Sequence, residues 1–196
     1  ELLTIAKSLG SSRESIFLGQ NATETKLKSL DLLQYDIIAF ATHGLMANEI
    51  RGVDEPSLVL RIPAGSTPSE DGLLTSGEIS QLKLDADLVI LSACNTAASD
   101  GTPGADGFSG LAKSFFYAGA RSLLVSHWPV ASNAAVEITT NIFNEIKNNP
   151  DLGKAEALRL SRLKLISDKN NPEYAHPYFW APFVVVGEGG SRQLLK

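Results

Sequence analysis

A single cysteine, Cys94, is all the thiol chemistry this 196-residue sequence has, so no intramolecular disulfide can form. That excludes a disulfide-stapled secreted scaffold, and a reducing compartment, the cytoplasm, is expected. Long hydrophobic runs are also lacking. No stretch approaches the roughly 20 apolar residues that span a bilayer, so no membrane partner is expected. Basic charge is scarce: 17 Lys and Arg face 22 Asp and Glu, for a formal net charge of −5. A nucleic-acid binder needs a basic stripe to displace counterions, and none is present, so direct nucleic-acid binding is not expected. With three histidines, one cysteine and no His-Glu-x-x-His or paired ligand spacing, a zinc site is disfavoured. A Walker A loop and the Gly-x-Ser-x-Gly elbow are missing, and Gly104-Ala105-Asp106-Gly107 is only a weak phosphate signal. No cofactor and no metal are expected.

What is there is ordinary globular chemistry, 43% hydrophobic and 20% charged, with a regular alternation of elements. Leu2, Ile5, Ala6 and Leu9 share one helical face, and Gly10 follows as a C-cap. Ile16-Phe17-Leu18 reads as a short strand, and Asn21 with Glu24 has the capping-box spacing of a helix running through Leu33. Residues 36–41 form a nearly all-apolar strand, as one buried on both faces would, and Ser57 to Ile62 forms another. Thr75 and Glu78 repeat the capping-box spacing before a short helix to about Leu82. Residues 87–92 are a second buried strand, followed by a loop over 95–107 and a helix from Phe108 to Ala118 ended by Gly119. A strand over 121–126, helices over 132–147 and 151–166, and a last strand over 183–186 complete the series. Such alternation predicts one α/β domain over 1–196: a mostly parallel sheet between two helical layers. Doubly wound sheets usually open with a central strand, whereas this sequence opens in a helix. A first strand upstream of Glu1 is therefore expected.

In open α/β sheets reactive groups collect at the carboxyl ends of the strands. One buried strand runs into Thr42-His43-Gly44 and the other into Ala93-Cys94-Asn95-Thr96, which places His43 and Cys94 on one rim. A thiol with pKa near 8.5 is mostly protonated at neutral pH. An adjacent imidazole raises its thiolate fraction and can later protonate a leaving amine. The N–H groups of Gly44 and Cys94 are the candidate oxyanion-hole donors. A lone buried cysteine is more often inert and a lone strand-end histidine structural; the pair on equivalent strand ends favours chemistry. Other thiol chemistries fit less well. A phosphatase loop needs Arg where Asp100 stands, and a thioredoxin-type site needs a second cysteine. His127 lacks a following glycine and is a weaker candidate base, and His176 reads as a loop residue.

Several blocks resemble the CHAT family. They are Phe40-Ala41-Thr42-His43-Gly44, Asp71-Gly72-Leu73-Leu74-Thr75 with Glu78-Ile79, and Leu91-Ser92-Ala93-Cys94-Asn95-Thr96. Gly110-Leu111-Ala112, residues 118–122, Trp128-Pro129-Val130 and Trp180-Ala181-Pro182-Phe183 with Val186-Gly187 continue the match in order. The resemblance implies a caspase-like three-layer α/β/α sandwich and peptide-bond cleavage by a Cys/His dyad, as in caspases and separases. It places that dyad on His43 and Cys94 and the oxyanion donors on Gly44 and Cys94. It also implies a protein or peptide substrate and a neighbouring repeat domain, often of tetratricopeptide repeats, or another activating partner. The 51-residue separation of His43 and Cys94 agrees with the roughly 50 residues of caspases.

In related proteases the residue two before the nucleophile lines the pocket for the P1 side chain, which precedes the scissile bond. Here it is Ser92, which offers no counter-ion, so a neutral P1 residue is expected. Asp100 and Asp106 are alternative sources of charge. By the same resemblance, the Ser126 and Trp128 region lies beside the cleft and pairs with an extended substrate; the competing reading has Trp128 capping the core beside Pro129. Two functional alternatives stay open at this level: a catalytically silent interaction module with this fold, and a Cys94-dependent acyl transfer other than hydrolysis.

Overall fold

In the computed structural model, which describes residues 1–63, 65–67, 70–92 and 110–191, a buried strand dictates the architecture. This is β5 (Leu88–Leu91), in which every residue is buried. Successive side chains of a strand point to opposite faces. Val89 and Leu91 therefore join one hydrophobic cluster, and Leu88 and Ile90 join the other. The first cluster packs beneath α3 (Ser76–Ser80) and α4 (Gly110–Ala118), the second beneath α1 (Leu2–Leu9), α5 (Ser132–Asn148) and α6 (Lys154–Ile166). The chain is thus a three-layer α/β/α sandwich.

The central sheet has four strands in the order β1, β5, β6, β7, with β1 (Ile37–Phe40), β6 (Ser122–Ser126) and β7 (Phe183–Gly187). The β1–β5 and β5–β6 pairs are parallel and β6–β7 is antiparallel, so the sheet is mostly parallel. β1 is only partly buried, since among the described residues one of its edges has no strand partner. An apolar groove of about 480 Å3 runs along this side, lined among others by Leu2, Phe17, Leu27 and Ile38.

Three elements differ from the sequence reading. Ile16-Phe17-Leu18 is not a strand: the dihedrals of Ile16 and Leu18 are extended, but no described strand pairs with them. The helix expected from Asn21 to Leu33 is the shorter α2 (Glu24–Lys28). Its cap is Thr23, whose hydroxyl accepts the Lys26 N–H at 3.2 Å. Glu24 is drawn instead into a tertiary contact, accepting from the Gly72 N–H at 2.7 Å, and it also accepts from Lys28 one turn along α2 at 2.9 Å. The strand expected from Ser57 is β3 (Ser57–Val59), and it joins a second sheet. There it pairs antiparallel with β2 (Gly44–Leu45) and β4 (Leu73–Thr75). The loop over 95–107 lies outside the described residues.

The capping box is present as expected. Thr75 Oγ1 accepts the Glu78 N–H at 3.3 Å, and the Glu78 carboxylate accepts the Thr75 N–H at 3.0 Å. Lys28 bridges Glu24 and Glu78, tying α2 to α3. Burial pushes the Glu78 carboxyl up, but Lys28 and the Thr75 N–H outweigh it and hold the pKa below the usual value. Gly119 ends α4 at φ 113°, and a Cβ there would meet the Leu84 carbonyl oxygen at 2.2 Å.

Two stability outcomes follow. Gly119→Ala combines a left-handed φ with a backbone collision and lowers stability by about 3 kcal/mol or more in denaturant titration. Glu78→Gln costs about 1 kcal/mol near pH 7, since the pair is partly exposed and screened. A depressed carboxylate stabilises above its unfolded value of 4.5, and that contribution is lost as pH falls through the folded value. The gap between variant and parent therefore narrows in acid melts as the pH falls below 4.5.

Candidate active site

Parallel pairing of β1 with β5 sets the register of the two chain segments that carry the candidate chemistry. Ile37 pairs with Leu88 and Phe40 with Leu91, and the Ser92 N–H extends the ladder to the Phe40 carbonyl at 2.9 Å. His43 lies three residues beyond Phe40, and Cys94 three residues beyond Leu91. The backbone of Cys94 itself, like that of Asp100 and Asp106, lies outside the described residues.

At this rim is a cavity of about 260 Å3 whose walls include Glu1, Thr42, His43, Ser92, Ser126 and Phe183. His43 is exposed, so its imidazole is reachable from solvent. Its approach is fixed from the backbone side. The Thr42 hydroxyl donates to the Val59 carbonyl, and the His43 carbonyl accepts the Val59 N–H at 2.8 Å. In an antiparallel ladder, opposed residues alternate between hydrogen-bonded and non-hydrogen-bonded pairs. The His43–Val59 bond makes the next pair, Gly44 with Leu58, the non-bonded kind. The Gly44 N–H is therefore directed away from β3, toward the edge of the small sheet that has no strand partner among the described residues.

Of the other expected residues, Ser92 and Ser126 meet His43 at the cavity, whereas Trp128 does not line it. Trp128 is held by its indole N–H, which donates to the Tyr178 carbonyl at 3.1 Å, while the Tyr178 hydroxyl donates to the Pro129 carbonyl at 2.9 Å. His127 continues the β6–β7 ladder, its N–H donating to the Pro182 carbonyl at 3.1 Å. His176 is more than a loop residue: its Nδ1 accepts the Tyr178 N–H at 3.2 Å and caps α7 (Pro177–Trp180).

Glu1 is the cavity residue that the sequence reading missed. It precedes α1 and nothing in its local pattern distinguishes it from a surface acid. Burial pushes its carboxyl above the usual pKa, and the interaction with the Ser92 side chain pulls it part of the way back. Among the described residues, no group of three or more His, Cys, Asp or Glu is arranged to hold a metal ion. No helix among them is long and apolar enough to cross a membrane.

Comparison with known proteins bears directly on this arrangement. The CHAT domain family model matches residues 1–188, which takes in both sheets and the His43 rim. The chain belongs to the CHAT domain family. This CHAT domain is also similar to tetratricopeptide repeat protein 28 of Mus musculus, 31% identical over 124 residues, covering 61% of this chain and 5% of that protein. The Homo sapiens protein of the same name is 31% identical over 120 residues, again 61% of this chain and 5% of the relative. The chain thus spans about one twentieth of the length of these relatives.

The Trp128 geometry has a measurable consequence. Trp128→Phe keeps the ring but removes the N–H that holds the Tyr178 carbonyl, and it lowers stability by about 1 kcal/mol in chemical denaturation.

Proposed function

We propose that this CHAT domain is a cysteine endopeptidase that cleaves a protein substrate with Cys94 as nucleophile and His43 as general base. The observation that carries the reading is the in-register β1–β5 ladder, which ends on the Phe40–Leu91 pair, His43 and Cys94 each standing three residues further along the sequence. The cavity at that rim, with an exposed His43 in its wall, supplies room for a substrate side chain. Membership of the CHAT domain family supports the peptidase reading.

On this reading His43 takes the thiol proton, and the Cys94 sulfur attacks the scissile carbonyl carbon. The carbonyl oxygen gains negative charge as the tetrahedral intermediate forms, and the N–H groups of Gly44 and Cys94 donate to it. The Gly44 N–H is directed away from the ladder to β3, as this role requires. Collapse of the intermediate expels the amine, which receives the proton from His43 and leaves a thioester on Cys94. Water, deprotonated by His43, then hydrolyses the thioester and restores the thiol.

Ser126 and the strand end at β6 offer backbone to an extended substrate, with the Ser126 side chain in the cavity wall. Trp128 contributes through Tyr178, by holding the rim, and not by direct contact with the P1 side chain. The relatives are named for tetratricopeptide repeats, which supports regulation by a repeat region outside these residues or by a partner that engages it.

The test uses the full-length parent protein, its Cys94→Ala variant and its His43→Ala variant, each incubated with a whole-proteome lysate and followed by sequencing of new peptide termini. Cleavages are expected with the parent only, and His43→Ala lowers the rate by about 100- to 10,000-fold. Identical termini from parent and Cys94→Ala would sink the peptidase reading and leave a silent interaction module. Transfer products formed with added thiol or amine acceptors, without hydrolysis, would assign Cys94 to another acyl transfer.

A further inference from the structure

The large sheet ends on β7, whose outer edge pairs with no strand among the described residues. Which peptide groups face that edge follows from the ladder to β6. The His127 N–H donates to the Pro182 carbonyl and the Glu188 N–H to the Arg121 carbonyl. Odd-numbered residues of β6 therefore sit in the hydrogen-bonded pairs. Phe183, Val185 and Gly187 lie opposite Ser126, Leu124 and Ser122 in the non-bonded pairs, and their N–H and C=O groups turn outward.

An exposed strand edge is a template for pairing, and proteins commonly blunt it with charge. The small sheet does so. At its margins the N–H groups of Leu73, Thr75 and Met46 each donate to a carboxylate, those of Asp71, Glu78 and Glu49. β7 has no such cover. Its run Phe183-Val184-Val185-Val186-Gly187 contains neither a charge nor a proline. The N–H groups of Val185 and Gly187 have no acceptor among the described residues.

What reaches this edge is a cation. Arg162 of α6 donates from Nη2 to the Phe183 carbonyl. α6 turns one flank to α5, where Lys164 pairs with Glu145. Ala155, Arg159, Arg162 and Ile166 recur at helical spacing on the opposite flank, beside β7. Ile166 is exposed there, and Arg159 is matched by Glu156. Arg162 is half-buried, has no carboxylate against it among the described residues, and keeps a buried Nε without an acceptor. A cation drawn part-way out of water without a counter-ion is unfavourable, and an incoming carboxylate offsets that penalty.

We propose that the outer edge of β7 is a docking site for an extended acidic peptide of a partner protein. The peptide adds a strand to the sheet and sets a Glu or Asp carboxylate on Arg162. Main-chain bonds to Val185 and Gly187 supply the pairing, the guanidinium selects the charge, and Ile166 offers an apolar contact. This edge is separate from the Ser126 backbone offered to a substrate, so the proposal goes beyond the endopeptidase reading and does not depend on it.

The test uses the full-length protein and a fluorescein-labelled peptide of about seven residues, alternating Val and Thr around one Glu. A second peptide has Gln in place of that Glu. By fluorescence anisotropy the parent is expected to bind the Glu peptide about 10-fold more tightly than the Gln peptide. Arg162→Gln abolishes the preference, and Arg162→Lys, which keeps the charge, retains part of it. Loss of a merely structural bond to Phe183 weakens both peptides alike and leaves the preference in place. Val185→Pro removes an outward N–H without touching the ladder to β6, and it weakens both peptides. Hydrogen exchange over residues 183–187 gives a readout without substitution: Val185 and Gly187 exchange fast in the free protein and slowly with the Glu peptide. Failure to bind the Glu peptide, equal binding of both peptides, a preference that survives Arg162→Gln, or unchanged exchange overturns the proposal. So does protection of these amides in the free protein. At all concentrations it puts the protein's own chain on the edge, and at high concentration alone it puts a second copy there.

Discussion

Everything at the candidate site hangs on the parallel pairing of β1 with the fully buried β5. β5 has no freedom to slip, because a shift of one residue would exchange Val89 and Leu91 with Leu88 and Ile90 and turn each set toward the wrong helical layer. With β5 fixed, its ladder fixes β1, and through β1 the positions of Thr42 and His43. The core thus acts on the rim at a distance of only a few residues, and Ala135 and Phe183 of the second cluster also reach the cavity wall. This is the usual division in an open α/β sheet, where packing holds the strands and the loops beyond their carboxyl ends carry the reactive groups.

The small antiparallel sheet adds a second constraint that the large sheet cannot provide. β2 begins at Gly44, directly after His43, so pairing with β3 decides which way the Gly44 amide faces. That sheet is in turn pinned at its far end, where buried Glu24 accepts the Gly72 N–H just before β4, and where Thr75 at the end of β4 caps α3. Lys28 closes the circuit between the two carboxylates. Local capping, a buried charge and strand register here form one connected support for the loop that carries His43.

The sequence made the buried strands legible because continuous apolar runs between turn residues have few other homes, and the capping box at Thr75 was legible because its two bonds are local. The helix pattern of α1, α4, α5 and α6 was readable for the same reason. Tertiary demands were not. Glu24 was read as half of a local cap, but its carboxylate is taken by Gly72, 48 residues away. Strand membership of β3 depends on partners that periodicity does not name, and Ile16–Leu18 has strand-like residues without a partner. Among the cavity residues, His43 was legible from its place at a strand end, and Ser92 and Ser126 through the family resemblance. Glu1 was not, because an acid before a helix looks like any solvated first-turn charge until the fold brings Ser92 against it.

Both tryptophans of the chain, Trp128 and Trp180, lie on the segments that flank the cavity, one shortly after Ser126 and the other shortly before Phe183. Each donates its indole N–H to a main-chain carbonyl, Trp128 to Tyr178 and Trp180 to Ala175. The small sheet, α2, α3 and α4 contain no indole at all. Tryptophan emission from these residues, excited where tyrosine does not absorb, is therefore a local signal. It reports the solvation and order of the rim around the cavity, and rearrangement of the small sheet that spares that rim passes optically unseen.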